Sequence, residues 1–428
     1  MAKTKTKSPG KQKDILHSTN APLVKSAPKP SSQRPVEDLL TEAAELLEQA
    51  QPERALPLAE EALRRLESER PPQSNGQDAD IDALLQLAAE GKPTLPAALT
   101  LTAEIQLALG DVDAARKSFT RVTQLDPDGA LVSAEPWLEL AQLCEDGGHE
   151  SIAHFEKATE VLRNEIEVLE EDEAKALDHT AKVLDEKRAK LANALCAMAE
   201  VYMTDLSWEE DAEQRCEAFV TEAVAVCPER LSAGVLQTLA SVRISQTRVD
   251  DARQALRRSM DIWKDVPQEV DDDERRPDFA TRVSLSRLLM EVEQEPEAFA
   301  VIEGLIRQDD ESVECWYLGG WCQVLISQKP ETTPEEVAKS QETAKTWLDN
   351  CLRLYRKLEY EDERLRDHAV ELVQQLNKIL GVEDQMDDDD AWEDEDDQEE
   401  DVDEDFEVEV EVETNGQDAH GDGDVEMS

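Results

Sequence analysis

Residues 99–127 read LTLTAEIQLALGDVDAARKSFTRVTQLDP. Leu99, Ala103 and Leu107 fall at helical spacing, Gly110-Asp111 makes a tight turn, and Ala115 and Phe119 resume the spacing until Pro127 stops it. Two antiparallel helices result. The small residues let the pair approach closely, and the large ones fill the gap to the next pair. A lone pair of this kind cannot bury its apolar face, so neighbouring pairs must stack on it.

The order large, small, turn, alanine, aromatic, proline is that of the tetratricopeptide repeat. Upstream, Leu39, Ala43, Leu46, Ala55, Ala59 and Ala62 form a first pair, broken by Pro71-Pro72 and SNGQD (74–78). Downstream, a third pair has Trp137, Leu140, Ala141 and Cys144 on its first helix, Gly147-Gly148 as turn, and Phe155 and Ala158 on its second. The charged stretch 164–190 lengthens that helix or forms a long connection. A fourth pair runs from Leu191, Ala194, Leu195 and Met198 to Phe219 and Ala223, with extra turn residues around Trp208. The fifth holds Leu236, Leu239, Ala240, Ala252 and Leu256, and is followed by an acidic loop, VDDDERR (270–276). The sixth holds Leu285, Ser286, Leu289, Ala298, Ile302 and Leu305; the seventh opens with CWYLGGWC (315–322) and continues with Ala344, Leu348 and Cys351. Ala252, Ala298 and Ala344 recur 46 residues apart, beyond the consensus period of about 34, so the loops carry insertions. A helix near 361–380, with Leu365, Ala369, Leu372, Leu376 and Ile379 facing inward, caps the last pair, and Gly381 ends it. The expected fold is all-α: a right-handed tetratricopeptide-repeat-like solenoid over residues 36–381, between a disordered basic tail (1–35) and a disordered acidic tail (382–428). In the acidic tail, FEVEVEVE (406–413) alternates as a strand would but has no second strand to pair with, and reads as extended chain or as a strand induced by a partner.

Aromatic content of 4% and only 15 glycines argue against a β-rich fold. No apolar run is long enough to span a bilayer, and no signal-peptide core follows Met1. The seven cysteines sit inside helical apolar patterns with no C-x-x-C, and read as reduced, small core residues of an intracellular protein. The formal net charge is −55: residues 1–35 carry +7, residues 382–428 carry −25, and the body between them −37. Binding of nucleic acid by counterion release is excluded. The natural partner is strongly basic, unless the charge serves solubility alone. The lysine-rich KTKTKSPGKQK (3–13) fits a nuclear-import signal, which makes an import receptor a second expected partner and places the protein in cytoplasm and nucleus.

No Walker A, G-x-G-x-x-G, G-x-S-x-G or H-E-x-x-H motif occurs. His149 and His154 are the one close histidine pair, five apart, and read as a turn residue and a surface residue. No catalytic set, metal site or cofactor is expected, and the function is binding rather than catalysis.

In this architecture the first helix of each pair lines a concave groove. The consensus frame points Thr100, Glu104 and Leu107 inward, then Glu135, Leu138, Gln142 and Glu145, then Gln237, Ser241 and Ile244, then Val283, Arg287 and Met290, and last Glu314, Tyr317, Trp321 and Val324. The candidate partner-binding residues are Glu104, Gln142, Glu145, Gln237, Arg287, Glu314, Tyr317 and Trp321. Lysines and arginines of an extended basic segment meet the acids, and apolar anchors meet Tyr317 and Trp321. Trp316 occupies the consensus aromatic core position and reads as packing; Trp321 suits packing or binding. Among the fifth and ninth frame positions only Arg287 is basic, which argues against the carboxylate clamp that chaperone-tail-binding repeats carry.

The basic KTKTK stretch, the repeat body, ECWYLGGWCQ (314–323) and DDDDAWEDEDDQEE (387–400) together resemble the fungal dedicated assembly chaperones of large-subunit ribosomal protein number four. The resemblance spans essentially the whole chain; inserted turns and the charged helix near 164–190 leave repeat register open. It implies capture of a newly made ribosomal protein, shielding of that client's long basic internal loop, and delivery to nuclear pre-ribosomes. The expected state is a monomer in a one-to-one complex. Two other classes fit the composition: a repeat scaffold of a regulatory complex, and a histone-type chaperone acting through its acidic tail.

Overall fold

The computed structural model describes residues 34–69, 77–145, 147–173, 178–267, 273–330 and 332–382. The basic tail up to residue 33, the acidic tail from 383 with its FEVEVEVE run, and Pro71-Pro72 lie outside the described residues. Every regular element among the described residues is helical. The helices are α1 (Val36–Glu48), α2 (Pro52–Glu69), α3 (Gln77–Ala89), α4 (Leu95–Ala108), α5 (Val112–Leu125), α6 (Glu135–Gln142), α7 (Gly148–Glu173) and α8 (Asp178–Met203). They continue as α9 (Ala212–Val226), α10 (Ala233–Ser245), α11 (Val249–Trp263), α12 (Phe279–Glu291), α13 (Glu295–Gln308), α14 (Val313–Gln328), α15 (Pro334–Lys357) and α16 (Glu363–Leu380).

The chain divides into two units, Met1–Val373 and Gln374–Ser428. In the first, successive helices pack as antiparallel pairs: α1 on α2, α4 on α5, α6 on α7, α8 on α9, α10 on α11, α12 on α13 and α14 on α15. This is the expected tetratricopeptide-type solenoid. Ala103, Ala115, Ala240, Ala252 and Ala298 are fully buried at these contacts, where a larger side chain would hold the helices apart. Starts are marked by side-chain caps: Thr94, Asp111, Asp278 and Ser312 each accept an amide N–H from the first turn that follows, and Thr333 with Glu336 forms a capping box. Asp126, 1% exposed, accepts the N–H groups of Ala130, Leu131 and Val132 and so orders the inserted loop after α5.

In four of the pairs the turn uses one left-handed residue. At Gly110 (φ +78°) this is the expected glycine, but Ala50, Thr247 and Glu293 take the same conformation at φ 54–62°. Their N–H groups bond back in the same way, as do those of the residues that follow them.

Several expectations are corrected. The break after the first pair is shorter, because Gln77 and Asp78 already belong to the additional helix α3. Cys144 lies beyond α6 and is half-buried, whereas the other six cysteines are buried as expected. The described parts of 164–190, up to 173 and from 178, extend two helices, α7 and α8, which pack together through buried Ile166 and Leu184 and the ion pairs Lys187–Glu165 and Arg188–Glu170, both 2.8 Å. In the last turns of α16, Leu376 is buried but Ile379 is 62% exposed, not inward-facing. Gly381, at φ +68°, follows the helix end as expected.

Candidate protein-binding groove

First helices of neighbouring pairs lie side by side, α8 against α10, α10 against α12 and α12 against α14. The residues they turn away from their second-helix partners form the candidate groove. At its N-terminal end Glu104 of α4 faces Glu135 and Glu139 of α6. Burial, then repulsion from those two carboxylates, raises the Glu104 carboxyl above its ordinary range. Burial and Glu135 likewise raise Glu139. Glu135 itself goes the other way. Burial pushes its carboxyl up, but hydrogen bonds from Lys190 of α8 and from Ser133 outweigh this and hold it at about 2. Further along, Glu200 of α8 is solvent-accessible yet flanked by protein, and the lost hydration raises its carboxyl although Thr238 donates to it at 3.3 Å.

At the other end, Arg287 of α12 pairs with Glu314 of α14. Tyr317 and Trp321, one turn apart on α14, form a tilted pair with centroids 5.9 Å apart. His368 of α16 meets both rings edge-on, and its Nδ1 shares a 2.7 Å hydrogen bond with the Tyr317 hydroxyl. These four predicted residues line one cleft.

The other predicted residues are scattered. Glu104 stands in the acidic cluster. Gln142 is exposed at the last position of α6. Glu145 is not on a first helix: α6 ends at Gln142, and Glu145 sits in the following turn, paired with Arg116 of the second helix α5 at 2.7 Å. Gln237 is 5% exposed, and its Nε2 donates to Ser259 Oγ of α11 at 3.5 Å. It lies between helices rather than in the groove, while the next residue, Thr238, is also buried and donates to Glu200. Trp316 is a packing residue, tilted against Trp347 with ring centroids 4.7 Å apart and its Nε1 donating to Asp310 O. The sequence reading did not include Glu139, Glu200 or His368. Glu139 carried a usable signal, four residues after Glu135 and thus on the same face.

Among the described residues no three His, Cys, Asp or Glu side chains converge as metal ligands, and His149 instead faces Glu209 at 3.2 Å. Arg287 is engaged by Glu314.

No family model matches the chain. It is 41% identical over 372 residues to the probable assembly chaperone of rpl4 of Emericella nidulans, covering 83% of this chain and 84% of that protein. The chain belongs to the rpl4 assembly-chaperone family. A second member, the probable assembly chaperone of rpl4 of Schizosaccharomyces pombe, is 32% identical over 306 residues, covering 69% of this chain and 85% of that protein. A solved structure of an assembly chaperone of RpL4, Acl4 residues 1–338, matches at a TM-score of 0.59 and 42% identity, covering 69% of this chain and 97% of that structure. In this member of the rpl4 assembly-chaperone family, the groove thus carries carboxylates toward the N-terminal end and an aromatic cleft at the other.

Proposed function

We propose that the chain is a dedicated chaperone of a newly made, basic large-subunit ribosomal protein, the rpl4 for which its relatives are named. One observation carries the mechanism. Glu104, Glu139 and Glu200 lie on first helices, partly stripped of water, and none of them forms an ion pair with a described lysine or arginine; Lys190, which lies near Glu104, is held by Glu135. Carboxylates held this way gain most when a cation arrives. An extended basic segment of the client supplies such cations. The groove holds the client's internal basic loop and shields it from stray RNA. The complex is one-to-one, passes from cytoplasm to nucleus with an import receptor, and releases the client at the pre-ribosome, where rRNA phosphates compete for the same charges. The cycle is binding and release, without catalysis or cofactor.

The test is co-expression with tagged rpl4. Combined Glu104→Lys, Glu139→Lys and Glu200→Lys should abolish co-purification while helical content and melting behaviour persist. Removal of residues 382–428 should leave a stoichiometric complex. The reverse pattern, with binding lost on tail removal and kept in the groove variant, moves the function to the tail and to the histone-type class.

A further inference from the structure

We infer that the cleft between α12, α14 and α16 is the anchor subsite of the groove, and that it takes one large apolar side chain of the client with a lysine or arginine within two residues of it. This rests on the client reading above and adds what the segment must look like.

The cleft encloses about 550 Å³, room for a Phe- or Leu-sized group. Its floor is apolar: Met290 and Leu365 are buried, and Trp321 and Leu325 are half-buried. Tyr317, Trp321 and Leu325 recur every four residues, so they form one stripe on α14. Trp316, off that stripe, is occupied by Trp347. The walls are already in place, because His368 holds the Tyr317 hydroxyl and abuts the Trp321 ring. An entering side chain therefore has little ordering cost to overcome.

The rim decides the neighbouring charge. Arg287 is neutralised by Glu314, whereas Glu291 and Asp362 are exposed carboxylates beside the same floor. Asp362 caps α16 through Oδ1, which accepts the N–H groups of Arg364 and Leu365; Oδ2 takes neither. Arg364 is the one rim cation outside the Arg287–Glu314 pair, and the two carboxylates outnumber it. In an extended segment, side chains two apart share a face about 7 Å apart. An apolar residue on the floor thus places a cation two residues away over this rim.

The experiment uses the full chain and short, overlapping, fluorescein-labelled peptides tiling rpl4, read by polarisation. The tightest peptide should contain Leu, Ile, Phe or Trp with Lys or Arg within two residues. Trp321→Ala and Leu325→Gln should each weaken it about tenfold. Leu325→Gln, at a half-buried position, keeps the readout independent of any packing loss at Trp321. Serine in place of the peptide's apolar residue should weaken wild type equally and add nothing in the Trp321→Ala background. Unchanged peptide binding in both variants, or a tightest peptide indifferent to the serine change, overturns the inference. In that case whole rpl4 still co-purifies and the broader reading stands. Failure of wild type to retain whole rpl4 overturns both.

Discussion

Gly320 sits in the middle of α14, where glycine costs about 1 kcal/mol against alanine. The cost is borne because a Cβ there would lie 2.6 Å from Leu348 Cγ and 3.3 Å from the Ala344 carbonyl oxygen, while one on Gly319 would strike the Trp347 ring. Close approach of α15 to α14 is thus the physical content of the GG in ECWYLGGWCQ. Gly320→Ala should lower stability by about 1–3 kcal/mol despite better helix propensity, measured by urea unfolding; a stabilised variant would show that α15 yields easily. Glu104 makes the opposite prediction. Its folded carboxyl titrates above the unfolded value of 4.5. The stability this adds is complete below that value and is lost as the pH rises through the folded one. At neutral pH the charged side chain is therefore a load on the fold. Glu104→Gln should raise the melting temperature at pH 7, with the gain shrinking toward pH 4, and should weaken client binding. A melting temperature that falls at pH 7 would contradict the assignment of Glu104 to a functional rather than a structural role.

Among elements, the joints between pairs rest on contacts that no consensus pattern announces. Arg116 follows Ala115 on α5, and its Nε donates to the Leu143 carbonyl, at the C-terminal end of α6, at 3.0 Å. Arg253 follows Ala252 on α11 and donates to the Val292 carbonyl, at the end of α12, at 2.9 Å. Both satisfy an orphan helix-end acceptor in the next pair. Arg116→Ala and Arg253→Ala should each cost about 1–2 kcal/mol in chemical unfolding, whereas Arg257→Ala, exposed on α11, should change stability by less than about 0.5 kcal/mol. Equal, negligible effects at all three would mean the joints are held by apolar contact alone. The alanine of each motif was legible as a small residue at helical spacing. The arginine was not, because its partner is a backbone carbonyl 27 or 39 residues away.

For the whole molecule, charge and groove should act at different stages. A net charge of −55 attracts a basic client over distance, but exposed charges are screened beyond a Debye length of about 8 Å at physiological salt. Association should therefore slow as salt rises, while a residual apolar grip survives. Removing residues 382–428 should slow association further without abolishing the complex. Stopped-flow mixing with rpl4 across a salt series measures both; rates indifferent to salt would exclude the acidic surface as the docking face.

By itself the sequence determined the helix pairs and their small contact residues, because these depend on spacings within one or two turns of helix. It also carried the family, through blocks such as ECWYLGGWCQ. What only the tertiary structure decided was which side chains share a surface. Gln237 left the groove because its amide packs between α10 and α11 and donates to Ser259. Glu145 left the groove because α6 ends three residues earlier and Arg116 draws it toward α5. Glu104, Glu135 and Lys190 come from three different helices, as do Met290, Trp321 and Leu365. Their meeting follows from how the pairs stack, and no local spacing encodes it.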